Sequence, residues 1–172
     1  MPEPVIRVED LSVDYRIGNR WLSAIHDVDL TINPLQIHGL VGESGSGKST
    51  LGLAMMRYLA RNARITEGRI RFGDDDLRTL GQREIERVWG AQMGLVPQNP
   101  MDALNPSLRI SRQMTEVTRL HLGLTGAAAT ERAIAALGHV EVAAPGCVLT
   151  RSPHQLPRGM LQRVMIPLGL AT

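Results

Sequence analysis

Gly42-Glu43-Ser44-Gly45-Ser46-Gly47-Lys48-Ser49-Thr50 is the stretch on which the reading of this chain turns. Its first eight residues fit G-x-x-x-x-G-K-[ST], a loop whose successive backbone N–H groups cradle phosphate oxygens. Glycine reaches backbone angles closed to other residues, so those N–H groups can turn inward together. A helix that starts at the end of the loop adds the positive end of its dipole. In this chemistry Lys48 reaches the β- and γ-phosphates of a nucleoside triphosphate, ATP above all, and the Ser49 hydroxyl helps to hold Mg²⁺. A chance match is expected about once in 10⁴ to 10⁵ positions at average residue usage.

The flanks fit the same reading. Ile37-His38-Gly39-Leu40-Val41 is a short, mostly apolar run that predicts a buried strand feeding the loop. Beyond the loop, Leu51, Ala54, Met55, Tyr58 and Leu59 repeat at helical spacing, an amphipathic helix with Ser49 and Thr50 in its first turn. Composition singles out one residue. Of 19 basic residues 18 are arginine, and Lys48 is the only lysine. A compact ammonium at this one place meets a demand that a flat guanidinium does not.

Further out, Leu11, Val13, Tyr15 and Ile17 lie two apart, as do Val28, Leu30 and Ile32. With Gly18-Asn19 between the two sets, the spacing predicts antiparallel strands. Gly68 to Phe72 predicts another strand, closed by Gly73-Asp74; Arg83 to Trp89 a short helix; Met93 to Val96 a strand ending at Pro97. From Ile110 onward the character is helical. Ile110, Met114, Val117 and Leu120 to Leu122 form one stripe, Ala133, Ile134 and Leu137 another, and a last helix is expected from about Leu161.

The 172 residues suffice for one domain with a real core, and 43% apolar with 21% charged residues is ordinary for a globular protein. A net charge of +2 and 3% aromatics give no basic stripe interleaved with stacking rings, which argues against a nucleic-acid partner. Cys147 is the only cysteine, so neither an internal disulfide nor a thiolate metal site is expected, in keeping with a reducing cytosol. The N-terminus lacks the basic-then-apolar pattern of a signal peptide, and no run is long and apolar enough to span a membrane.

Three further stretches separate the classes of phosphate-loop protein. Leu95-Val96-Pro97-Gln98-Asn99-Pro100-Met101-Asp102-Ala103-Leu104-Asn105-Pro106 resembles the Q-loop of ABC-transporter ATP-binding subunits, closest to the branch serving oligopeptide, dipeptide and nickel importers. Ser152-Pro153-His154-Gln155-Leu156 through Gln162-Arg163-Val164-Met165-Ile166 is similar to the surroundings of that family's signature motif. Tyr15 lies 27 residues before Gly42, where the family places an aromatic on the adenine ring. The resemblance runs nearly end to end. It implies an α/β fold: a RecA-like P-loop core, an N-terminal antiparallel β-subdomain and a helical subdomain, the last part of the core being missing. Residues 1–98 would hold the β-subdomain and first part of the core, and 99–172 the helical subdomain with the signature helix.

The same resemblance assigns roles. Gln98 would contact Mg²⁺ and the attacking water, and its loop would move against a transmembrane partner. From composition alone, Gln98 reads equally as a solvated loop amide, Tyr15 as a half-exposed sheet residue and His154 as a surface or capping residue. Asp74-Asp75-Asp76 reads as a solvated turn and is assigned no metal. Implied partners are two transmembrane permease subunits, a second ATP-binding subunit and an extracytoplasmic binding protein, at the cytoplasmic face of the cell membrane.

The sequence also departs from the family. The signature, usually Leu-Ser-Gly-Gly followed by Gln or Met, is here Leu156-Pro157-Arg158-Gly159-Met160. In the family dimer the serine hydroxyl and glycine N–H groups bind the γ-phosphate held by the opposite subunit. Pro157 has neither donor, and Arg158 puts a long side chain where backbone should approach phosphate. An arginine there can instead attract phosphate charge in trans. Pro167 falls inside the following helix, at an expected cost of roughly 3 kcal/mol. In Asn33-Pro34-Leu35-Gln36 relatives turn through Gly-Glu, and Leu35 is not expected to take a positive φ.

No apolar run ending in Asp-Glu occurs among these residues, so the Walker B aspartate and the water-polarising glutamate are not found. Without that glutamate, phosphoryl transfer is expected to slow by roughly 10³-fold or more. The chain alone is expected to bind nucleotide without turning it over, and to be marginally stable, its core left with uncovered apolar faces. A piece of a longer subunit and a truncated, drifting gene product both fit, as do three functions: importer ATPase, nucleotide-binding remnant and, third, a soluble P-loop kinase.

Overall fold

The computed structural model describes residues 3–170 and divides into two compact units, Met1–Ile85 and Glu86–Thr172. In the first, β1 (Ile6–Ile17) and β2 (Arg20–Ile32) form the expected hairpin, turning at Gly18-Asn19 with Gly18 at φ 60. Ile17 pairs with Arg20, Val8 with Leu30 and Ile6 with Ile32. β3 (Ala63–Phe72) adds antiparallel to the other edge of β1, and the two-residue β4 (Asp75–Asp76) closes a sheet of order β2-β1-β3-β4. Val8, Leu11, Val13 and Ile70 are buried on this sheet. Their alternation is interrupted at Asp10 and Asp27, both at positive φ, where the register shifts.

α1 (Lys48–Met55) packs on β1 and β2 and buries Leu51 and Ala54. It is shorter than the periodicity predicts. The chain turns through Arg57 at φ 54, and the Arg57 guanidinium donates to the carbonyls of Leu77 (2.9 Å) and Leu80. Tyr58 is left exposed. After β4, α2 (Gln82–Val88) takes the place of the predicted helix from Arg83.

Two predicted strands do not form. Residues 37–41 have no ladder, and Ile37 and Val41 are 101% and 91% exposed. Residues 93–96 keep only an isolated parallel bridge, Trp89 to Met93, and Leu95 and Val96 are exposed. A buried parallel strand needs neighbours on both edges; every sheet ladder among the described residues is antiparallel and belongs to the four-stranded sheet. Both runs are apolar, yet neither gains the flanking strands that would bury it.

The second unit is helical: α3 (Ile110–Leu122), α4 (Gly126–His139), α5 (Pro145–Leu149) and α6 (Arg158–Gly169). Ile110, Met114, Ala133, Leu137, Leu149, Leu161 and Val164 share one core. The buried face of α3 is Ile110, Met114 and Thr118, so Leu120 and Leu122 stand in solvent rather than extending the stripe. On α4, Ile134 is likewise exposed. α6 begins three residues earlier than predicted because Pro157, at φ −58, occupies the position before the first helical residue, where a missing N–H costs nothing. Pro167 does not break the helix. It lies buried in the last turn, two residues before the end, so a single backbone bond is forgone. Leu35 does adopt the positive φ the sequence argued against, at 59°.

Candidate functional site

The loop is built from its last glycine outward. Gly47, at φ 87, precedes α1, and Leu51 N–H donates to its carbonyl at 2.8 Å. A Cβ on Gly47 would lie 2.5 Å from Ile25 Cγ2 and 2.8 Å from the Ala24 carbonyl oxygen, so β2 seats the loop through bare backbone. Ser46 N–H donates to the Glu43 carbonyl at 3.3 Å, which folds Glu43 to Ser46 into a turn.

Lys48 then bends back over that turn. Its Nζ donates to the carbonyl of Gly42 (2.9 Å), the carbonyl of Glu43 (2.5 Å) and Ser46 Oγ (3.3 Å). The one ammonium of the chain is therefore held at the loop, half-buried, rather than extended into solvent. Ser44, Gly45 and Ser49 are exposed around it, and Thr50 is half-buried one residue further into α1. The first N–H groups of a helix have no carbonyl beneath them. Those of α1 open beside the ammonium, an arrangement that suits an anion of several oxygens. The predicted feeding strand is absent, as described above; β2, not residues 37–41, gives the loop its floor.

Tyr15 is half-buried on β1, opposite Leu22 of β2 and Ala63 of β3. It lies two residues from Val13, and side chains two apart share a sheet face. Val13 pairs with Ile25, the residue against Gly47. The sheet thus carries Tyr15 on the face that seats the loop. Sequence reading missed Ile25 as the seat, because the register shift beside Ala24 hides it from a period-two count.

In the second unit, Gln98 is exposed and borders a cleft of about 640 Å³ with Asp102, His154, Leu156 and Arg158. The Q-loop-like and signature-like segments therefore share one concavity. Pro157, Gly159 and Met160 lie outside its lining, and open space surrounds Gly159. His154 sits in a single 3-10 turn, Pro153–Gln155, within a capping box made by Ser152 and Gln155. The acidic run is structural: Asp75 and Asp76 form β4, and Asp76 Oδ1 accepts from Arg78 N–H at 3.0 Å. Among the described residues no three His, Cys, Asp or Glu side chains converge as a metal site.

With this geometry in view, the family model for ABC transporters matches residues 25–172. The chain belongs to the ABC transporter family. An ATP-binding protein of Brucella melitensis named for peptide import is 40% identical over 169 residues, covering 98% of this chain and 51% of the relative. The oligopeptide transport ATP-binding protein of Salmonella typhimurium is 35% identical over 172 residues, and the dipeptide transport ATP-binding protein of Escherichia coli 32% over 167, with 51% of each relative covered. This ABC-family chain thus spans about half the length of the curated relatives it matches. Among solved structures, a dimeric ATP-binding cassette holding ADP and phosphate superposes with a TM-score of 0.83 at 24% identity, covering 96% of this chain and 69% of that one. A subunit of an ABC transporter complex from Clostridium perfringens gives 0.74 at 21%, covering 98% and 61%. The fold is that of the ABC-family P-loop ATPases.

Proposed function

We propose that this chain is the nucleotide-binding engine of an importer for peptides or related small solutes, in which ATP binding and hydrolysis drive transport. The observation that carries the reading is the ammonium of Lys48, folded over the turn Gly42 to Ser46 beside the open N-terminus of α1. A triphosphate would replace the loop carbonyls as the partner of Nζ and accept from the backbone N–H groups of Gly45 to Thr50. Ser49 would help to hold Mg²⁺, which neutralises charge on the β- and γ-oxygens, and the resemblance to the family's Q-loop gives Gln98 a Mg²⁺-contacting role. Tyr15 would lie against the adenine.

Its partners would be two permease subunits, a second ATP-binding subunit and a substrate-binding protein outside the membrane, with this chain on the cytoplasmic face. The 40% to 32% identities to peptide, oligopeptide and dipeptide import ATP-binding proteins support that assignment. Residues 1–98 would supply the phosphate loop and Q-loop glutamine. Residues 99–172 would supply the surface that meets the permease, with the cleft beside Gln98 at its centre.

A second reading, nucleotide binding without turnover, is favoured by one feature. Pro157 stands before α6 with no N–H and no hydroxyl, and Arg158 follows it, where the family presents small donors to the opposite subunit's phosphate. Fluorescent-ATP titration of the chain and of Lys48→Ala tests the shared premise; equal affinities would overturn it. Steady-state phosphate release then separates the readings. Essentially no turnover is expected from the 172 residues alone, and brisk hydrolysis would refute that.

A further inference from the structure

We propose that Arg64 is a positioning residue for the nucleotide base, acting through Tyr15 from the opposite face of the sheet. The proposal rests on the reading of Tyr15 given above. Asp14 and Arg64 are directly paired across β1 and β3, as are Tyr15 and Ala63 one residue along. Asp14 and Arg64 therefore occupy the face away from Tyr15. There Arg64 Nη2 donates to Asp14 Oδ2 at 3.3 Å, while its guanidinium carbon lies 3.9 Å from the centroid of the Trp21 ring on β2. One planar cation ties all three strands together directly behind the Tyr15 row.

At the hairpin tip the other restraint on β2 is its backbone ladder with β1. β2 is an edge strand, and near the tip Ile17 and Leu22 are 64% and 50% exposed. The bond from Arg16 N–H to the Asn62 carbonyl (2.7 Å) holds β1 to β3, and the antiparallel ladder holds β2 to β1 out to the Ile17–Arg20 pair; Arg64 adds the side-chain tie that spans all three strands. Leu22 lies across from Tyr15 and would share the surface offered to the base. Without the Arg64 clasp the backbone ladder alone sets the twist of β2 against β1, and Tyr15 and Leu22 are held less firmly in their common plane. The triphosphate loop, seated further along β2 at Ile25, keeps its support.

The test compares ATP with inorganic tripolyphosphate, which carries the same phosphates and no base, by competition against a fluorescent nucleotide. Arg64→Met is expected to weaken ATP about threefold, the scale of an exposed cation–π contact with an exposed ion pair, and to leave tripolyphosphate unchanged. Arg64→Lys, which keeps the charge and can sit over Trp21, restores most of the loss. Tyr15→Ala weakens ATP about tenfold and tripolyphosphate not at all. If Tyr15→Ala leaves the ratio of the two affinities unchanged, the base reading itself fails. If Tyr15→Ala shifts the ratio and Arg64→Met does not, or if Arg64→Met weakens both ligands alike, the positioning role alone is overturned.

Discussion

Gly47 and Ile25 meet so closely that a Cβ on the glycine would stand 2.5 Å from Ile25 Cγ2. The Ala24 carbonyl oxygen, 2.8 Å from the same point, is backbone and cannot swing aside. Gly47→Ala therefore pays twice, once for a positive φ and once for the clash. The two terms are about 1 kcal/mol or more and about 1 to 3 kcal/mol. Gly45 has a similar φ, 85°, but nothing within 4 Å of an added Cβ. Urea unfolding should thus place Gly47→Ala at least about 1 kcal/mol below Gly45→Ala. Equal midpoints would mean that β2 does not seat the loop.

Lys48 offers a second contrast. Three oxygens converge on one Nζ within 3.3 Å, from the Gly42 and Glu43 carbonyls and Ser46 Oγ. An ammonium aims its donors tetrahedrally, whereas a guanidinium spreads them in a plane. Lys48→Arg keeps the charge and should still lose ATP affinity by about tenfold or more, nearly as much as Lys48→Ala. These hydrogen bonds are solvent-accessible, so both variants should unfold within about 0.5 kcal/mol of the parent. An arginine variant that binds ATP like the parent would show that charge alone suffices, and the lone lysine among 18 arginines would lose its explanation.

The sequence disclosed what depends on local chemistry. The glycine spacing around Lys48, the two-residue turn at Gly18-Asn19 and the helical stripes through Ile110, Met114, Ala133 and Leu137 each follow from neighbouring residues. What it hid depends on distant partners. Ile37 to Val41 reads as a strand only if other strands flank it, and none does among the described residues. The end of α1 is set by Arg57 reaching carbonyls 20 and 23 residues away, which no periodicity within the helix can announce. The seat of Gly47 depends on an irregular register at Ala24, and the cleft joining Gln98 to Arg158 depends on tertiary packing. Pro167 sits in the final turn of α6, where the usual penalty of a helical proline shrinks, and only the tertiary fold shows where that helix ends.

Leu35 adopts the left-handed conformation with no contact to reward it. Its φ is 59° and its side chain is wholly exposed, while Pro34 before it occupies the position that such a turn favours for proline. Asn33, which precedes Pro34, is tied across the turn to Gln36 by two hydrogen bonds to Gln36 Oε1, 3.1 Å from the backbone N–H and 3.4 Å from Nδ2. The turn is therefore fixed around a residue that resists it. Leu35→Gly should stabilise the chain by about 1 kcal/mol, the strain of a left-handed L-residue less the added freedom of glycine when unfolded. A thermal midpoint that stays level or falls would contradict the strained turn.

Arg163 on α6 shows which half of an apparent ion pair matters. Its Nη1 lies 3.9 Å from the Glu141 carboxylate, whose side chain is 88% exposed, a geometry worth little in water. The same Nη1 donates to the Glu141 carbonyl at 2.7 Å and reaches the Val140 carbonyl at 3.4 Å, just past the C-terminus of α4. Carbonyls at a helix end lack partners within the helix and carry its negative pole, so a cation there satisfies a real deficit. Glu141→Gln leaves those carbonyls untouched and should change unfolding free energy by less than about 0.5 kcal/mol. Arg163→Met strips them of their donor and should cost about 1 to 2 kcal/mol, reported by the urea midpoint at unchanged slope. The two variants falling together would return the stabilisation to the carboxylate and refute the helix-end role of Arg163.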